Sequence, residues 1–360
     1  MRLLNPGPVT LTERVRRSML AADLCHRESE FFDLQDEARA GLLTVYGADS
    51  AEWCPVLLTS SGTGAVESMV STLVPPEGRV LVAENGVYGE RIAQICARYR
   101  IAYEPMTGDW MQPLDLAGIA RRLEHAPDDG GARFTHLAAV HHETTTGRLN
   151  DLRALGELCR KHGVKLLLDA VSSFGAEPLE LADESLAAAA ATANKCLHGV
   201  PGVSFVIARR RALERAASRA YYLDLTRAAR AQDRRDTPFT PAVHAHYALV
   251  EALREHAEQG GWTARHRRYA ALAEQVRVGL AALGVAAVLP PEESSVVLRS
   301  YALPANTSYP MLHDALKARG FVIYAGQGNL SQKLFRISTM GDVSAGDIDR
   351  LLECCGELLR

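Results

Sequence analysis

A short run at 164–168, apolar but for Lys165, leads straight into Asp169 and sets the first limit on what this chain can fold into. A run so short and continuous reads as a strand buried on both faces, which needs helices above and below it. Residues 135–141 form a second such run. The segment 151–161 between them has helical spacing, with Asn150 as its predicted cap and Gly163 as its stop. Strand, helix, strand is a βαβ unit. Earlier alternations repeat it: a strand at 53–58 and a helix at 65–73, then a strand at 79–83 and a helix through Tyr99. The fold class is α/β, a mostly parallel sheet with helices on both faces.

In such sheets ligands bind outside the carboxyl ends of the strands, so the loops there carry the functional reading. Asp169 closes one strand. An Ala-rich segment follows, then Asn194 and Lys195 among Gly and Pro, then a further apolar run at 203–208. A carboxylate and an amine at neighbouring strand ends suit pyridoxal 5′-phosphate, which needs an amine for its aldehyde and an acidic partner for its ring nitrogen. The plainer alternative is a strand-end cap and a surface lysine. The strand at 53–58 runs into Thr59-Ser60-Ser61-Gly62-Thr63-Gly64 and then a helix, the geometry of an anion site. It is neither a dinucleotide fingerprint nor a Walker loop. Tyr88 sits where a loop enters a helix, a place from which an aromatic can lie on a flat ring. The loop His142-Glu143-Thr144-Thr145-Thr146-Gly147 leaves another strand end. His141, His142 and Glu143 are metal-ligand types, but neighbouring strand residues point to opposite faces, so no metal is expected.

Past residue 208 the character changes. A basic helix at 209–218 reads as a solvated face, and Asp236-Thr237-Pro238-Phe239-Thr240-Pro241 as a rigid loop. Helices follow at 242–256 and 262–283. Strands at 285–289, 297–301, 321–324 and 334–338, with helices at 308–319 and 345–359, suggest a smaller α+β domain. The expected division is an arm at 1–12, a large domain at 13–260, a connecting helix at 261–284 and a small domain at 285–360. A net charge of -3 gives no support for nucleic-acid binding. Seven scattered cysteines without a CxxC pair suggest a reducing, cytoplasmic setting rather than disulfides or zinc. The opening MRLLNPGPVTL lacks the long apolar run of a signal peptide, and no run reaches membrane-spanning length.

Eight motifs occur in order: LNPGPVTL at 4–11, DLCHRE at 23–28, SSGTGAVE at 60–67, NGVYGER at 85–91, HETTTG at 142–147, DAVSSFG at 169–175, NKCLHGVPG at 194–202 and FRI at 335–337. Together they resemble the class V aminotransferases of fold type I, pyridoxal-phosphate enzymes with a seven-stranded, mostly parallel sheet and a smaller C-terminal domain. Within that family they are most similar to the transaminases that act on 2-aminoethylphosphonate and pyruvate. The resemblance implies that Lys195 takes the cofactor's aldehyde and Asp169 pairs with its ring nitrogen. Ser61, Gly62, Thr63, Gly64 and Ala65 would hold its phosphate, completed by Asn194 and by Thr240 from the other subunit of a homodimer with shared sites. Tyr88 would stack on the ring, and Thr144 or Thr145 would touch its 3′-oxygen. Arg336 would grip the substrate's anion, with Asn5, Gly7, His26 and Arg27 as further substrate-side residues. An ion pair with a nearby carboxylate is the alternative for Arg336. The chain departs from the family pattern at Ala176, Ala325, Gln327 and 338–341, mostly on the substrate side.

Overall fold

The computed structural model describes residues 1–125 and 133–359; the polar turn expected at 128–131 lies outside them. Seven strands form the main sheet: β1 Trp53–Leu58, β2 Arg79–Glu84, β3 Ala102–Thr107, β4 His136–Val140, β5 Lys165–Asp169, β6 Leu186–Thr192 and β7 Ser204–Arg209. Their order is β1-β7-β6-β5-β4-β2-β3. Only β7 runs antiparallel to its neighbours; the pairs from β6 to β3 are parallel. Every residue of β1, β2, β4, β6 and β7 is buried, as a sheet covered on both faces requires. β1 and β3 are the two edge strands, and β3 alone of the seven has no fully buried residue.

β6 is the strand that composition conceals. Its LAAAAAT would favour a helix by propensity alone, yet it pairs with β5 and β7 in the middle of the sheet. Alanine's small side chain lets the helix Gly62–Leu73 lie directly on it. That helix begins at Gly62, three residues before the predicted start, so Gly62, Thr63 and Gly64 form its first turn.

Four other expectations need correcting. Asp151, not Asn150, caps the helix Leu152–His162, accepting from Ala154 N. The Asn150 amide instead ties two strand-end loops together, donating to Val140 O at 2.8 Å and pairing with Asn85. Residues 285–289 make one bridge, Ala287 to Tyr301, before Pro290 and Pro291 end the pairing. The basic helix is only Arg210–Glu214, and the polar stretch after it contains a helix, Leu225–Asp233, capped by Asp224. The predicted strand at 321–324 is split. Phe321–Val322 pairs in parallel with Arg2–Leu3, and Tyr324–Ala325 pairs with Leu334–Ser338.

The C-terminal body places the three strands Leu298–Ala302, Leu334–Ser338 and Tyr324–Ala325 against the helices Tyr309–Ala318 and Ala345–Leu358. Its core joins Leu272, Val276 and Leu280 of the long helix Gly261–Ala282 to Phe335, Ile337, Ile348 and Leu351. Among the described residues no helix is long and apolar enough to cross a membrane.

Candidate active site

The carboxyl ends of β1, β2, β4, β5 and β6 deliver Gly62, Tyr88, Thr144, Asp169 and Lys195 to one side of the sheet. Lys195 lies on the turn after β6, and its Nζ donates to Pro6 O of the N-terminal arm. Burial holds its amine down at about 8, and the nearby Arg336 and Arg91 cations also disfavour the charged form. The turn is pinned from below. Arg265 Nη1 donates to Cys196 O at 2.6 Å, while His198 Nε2 accepts from Gly341 N at 2.9 Å and bonds the Tyr269 hydroxyl. Gly7 has φ +102°, and a Cβ there would stand 2.6 Å from Lys195 Cδ. Only glycine lets the arm lie this close to the lysine stem.

Asp169 is buried, and its carboxyl is raised to about 6 by that burial, against the pull of Val171 N, Arg91 and Lys195. Oδ1 accepts from Val171 N at 2.9 Å, which leaves Oδ2 for a cationic ring nitrogen. Gly62 permits the approach from β1: a Cβ there would meet Val171 Cγ1 at 2.6 Å.

The helix Gly62–Leu73 starts without a side-chain cap at Ser61, so its first amides are left to an anion. Ala65 is the exception, because its N–H already donates to Ser61 O at 3.2 Å. Sequence reasoning missed Arg91. Its Nη1 donates to Thr63 Oγ1 at 3.1 Å and its guanidinium lies 4.6 Å from the Tyr88 ring centre. The spacing of Tyr88 and Arg91 on one helix face was the available signal. Asn194 Oδ1 accepts from Thr192 Oγ1 at 2.8 Å, which leaves its amide nitrogen to donate.

The loop after β4 is ordered by Glu143, a residue whose part was also missed. Its Oε1 accepts from Thr145 N and Oγ1 at 3.0 and 2.6 Å; its Oε2 accepts from Tyr88 N and Gly89 N at 3.3 and 3.4 Å. Burial raises this carboxyl to about 7. Gly86 has no room for a side chain because that carboxyl fills the space. Thr145 Oγ1 also accepts from Val87 N at 3.1 Å, so of the two threonines Thr144 is the one with a hydroxyl to offer a ligand. His142 Nδ1 lies 3.5 Å from Ser172 O. Burial pulls both His141 and His142 down to about 4, leaving them neutral.

Arg336 is buried on Leu334–Ser338. It donates from Nε to Ala325 O at 2.8 Å, and from Nη1 to Thr144 O at 2.7 Å and Gln327 Oε1 at 3.0 Å. All three acceptors are neutral, and among the described residues no carboxylate forms an ion pair with it. The ion-pair alternative is thereby removed. A buried cation held only by carbonyls is short of an anion. Asn5 lies on the same arm as Gly7; its Nδ2 donates to Pro8 O and its buried Oδ1 has no partner among the described residues.

His26 and Arg27 are the remaining substrate-side candidates. They sit in a turn, and Arg27 donates to Asp236 Oδ1 at 2.6 Å and Thr237 O at 2.7 Å rather than joining Arg336. The Asp236 carboxylate claims it. Arg27 therefore braces the loop that carries Thr240, which is exposed and lines a small cavity of about 40 Å³ with Thr59, Tyr222 and Phe239.

Comparison with known proteins gives the following. The family model described as Aminotransferase class-V matches residues 16–351. A 2-aminoethylphosphonate–pyruvate transaminase of Pseudomonas putida is 36% identical over 371 aligned residues, covering 99% of this chain and 96% of its own. One from Vibrio cholerae is 36% identical, covering 97% and 95%. Among solved structures, an aspartate aminotransferase of subgroup IV from Thermus thermophilus superposes with a TM-score of 0.89 at 29% identity, covering 100% and 99% of the two chains. An alanine–glyoxylate aminotransferase from Nostoc sp. superposes with a TM-score of 0.91 at 27% identity, covering 99% and 95%.

Proposed function

The chain belongs to the class-V aminotransferases, and on that premise we propose that it moves the amine of 2-aminoethylphosphonate to pyruvate, with pyridoxal 5′-phosphate as cofactor. The products are phosphonoacetaldehyde and alanine. The residues present fit that cofactor: an amine with a depressed pKa, a buried carboxylate with one oxygen to spare, and an uncapped helix start beside Arg91. When bound, the cofactor supplies an aldehyde that takes up amines and a ring that draws electrons from the neighbouring carbon. Asp169 keeps the ring nitrogen protonated. Tyr88 would cover the ring face, Thr144 would meet the 3′-oxygen, and Gly62, Thr63, Gly64 and Asn194 would hold the phosphate. Lys195 would take the proton from C2 of the donor and deliver it to the cofactor carbon that carried the aldehyde. In the second half-reaction it moves the proton back, toward C2 of alanine.

The observation that carries the substrate reading is Arg336, a buried guanidinium whose protein partners are three neutral oxygens. A phosphonate in one half-reaction and a carboxylate in the other would each supply the missing charge. Stopped-flow absorbance of the bound cofactor tests it, using 2-aminoethylphosphonate, β-alanine, alanine and serine as donors. The aminophosphonate should react fastest, by about 100-fold over β-alanine, since its dianion can use donors that a planar anion leaves idle. Faster reaction with alanine or serine would replace this reading with a general amino-acid transaminase.

The protein is further proposed to work as a homodimer in which Thr240 completes the partner subunit's phosphate site. What supports this is the placement of Thr240, exposed on a loop braced by Arg27. Two inactive variants, Lys195→Ala and Thr240→Arg, should regain about a quarter of wild-type activity when refolded together, because random pairing makes half the dimers mixed and each has one intact site. No recovery would show that Thr240 serves its own chain. All seven cysteines are free, which supports a reducing, cytoplasmic setting.

A further inference from the structure

A guanidinium has five N–H donors, one on Nε and two on each terminal nitrogen. In Arg336 the Nε donor goes to Ala325 O, and the two on Nη1 go to Thr144 O and Gln327 Oε1. The two that remain are both on Nη2. A side-on grip on a carboxylate or phosphonate draws on two nitrogens, so one nitrogen must first be released.

The three acceptors are not equally replaceable. Ala325 O and Thr144 O are backbone atoms, the first in a strand paired with Phe335 and the second in a buried loop. Gln327 is a half-buried side chain, and its bond, at 3.0 Å, is the longest of the three. Its backbone is fixed: Leu330 N donates to Gln327 O at 3.0 Å, and Gly326 N donates to Leu334 O at 2.9 Å. Trp110 packs against the same loop at Gly328. The side-chain amide is thus the part able to swing, and it carries both an acceptor and two donors.

We propose that Gln327 is a specificity-determining residue that an incoming anion displaces. Without substrate its Oε1 holds Nη1 of Arg336. An arriving anion takes Nη1 and Nη2 side-on, and the released amide turns its Nε2–H toward that same anion. A phosphonate has a third oxygen to receive it. A carboxylate has both oxygens engaged by the fork and offers the amide only their remaining lone pairs, confined to its plane. Gln327 therefore favours the tetrahedral dianion over the planar anion. The inference rests on the reading of Arg336 as the anchor for an aminophosphonate.

Gln327→Ala and the isosteric Gln327→Glu test it in the cofactor-loaded enzyme. The readouts are kcat/KM for 2-aminoethylphosphonate and for β-alanine, and calorimetric binding of the amine-free analogues ethylphosphonate and propionate. Gln327→Ala should lower kcat/KM for the aminophosphonate about 10-fold, leave β-alanine unchanged or slightly better, and weaken ethylphosphonate but not propionate. Gln327→Glu should pair with Arg336 and weaken both analogues, ethylphosphonate by about 100-fold. If the wild type prefers the phosphonates and Gln327→Ala keeps that preference within a factor of two, Gln327 has no part in selection and the inference alone fails. If the wild type shows no preference for ethylphosphonate over propionate, the aminophosphonate reading fails and takes the inference with it.

Discussion

Lys195→Ala is expected to fold and to turn over no substrate. Two functions leave with one amine: the attachment point for the cofactor and the base that moves the proton at C2. Loss of the proton transfer alone costs up to about 10⁴-fold, and loss of the nucleophile adds to it. The fold should survive because the turn keeps its other supports, Arg265 on Cys196 O and His198 between Tyr269 and Gly341. Borohydride reduction followed by peptide mass mapping checks the assignment. The wild type should carry a pyridoxyl group on Lys195, and an adduct on Lys161 or Lys165 instead would remove Lys195 from the chemistry. The pH dependence follows from the depressed pKa. With the amine titrating at about 8, roughly a tenth is neutral at pH 7, against well under a thousandth for an ordinary lysine. Loading of cofactor-free protein should rise about tenfold per pH unit up to about 8 and then level off. A plateau reached only above pH 10 would mean that the amine is not held in a dry site.

Much of the sheet was legible because most of its strands are short, largely apolar runs that end at polar residues. Trp53–Leu58 and Leu334–Ser338 match their predicted bounds. Asp169 and Tyr88 were legible for the same reason, each at or just after a strand whose end is marked in the sequence, and Lys195 was legible from the apolar run that follows it. β6 was not, because a run of alanines carries no strand signal and takes its conformation from two neighbours already in place. Arg91 and Glu143 escaped for a related reason. Glu143 serves the amides of Tyr88 and Gly89, more than fifty positions upstream, and no local pattern announces such a partnership. Gln327 was noticed only as a departure from a family pattern; that it holds Arg336 needed the packing of two segments of the C-terminal body. The pairing of Arg27 with Asp236, far away in sequence, was likewise not legible.

Arg336→Ala should lower kcat/KM for both the amino donor and pyruvate, by about 2–4 kcal/mol each. In each case an anion would enter a site that has lost its charge-assisted bonds. The effect should fall mainly on KM, because the anion lies away from the bonds that change and is gripped alike in the ground state and the transition state. The truncation also strands Ala325 O, Thr144 O and the Gln327 amide, so some loss of stability is expected alongside. Two controls separate the roles. Arg336→Lys keeps a charge but not the planar fork, and should recover part of the binding with little recovery of the preference for phosphonate over carboxylate. Free guanidinium ion supplied to Arg336→Ala should restore activity toward anionic substrates if the cavity left by the side chain is an anion anchor. A variant that melts several degrees lower yet keeps wild-type KM for both substrates would make Arg336 a brace between the two bodies. The anionic end of the substrate would then have to be held by another cation, and Arg91, whose guanidinium stands over Tyr88, is the one the geometry offers.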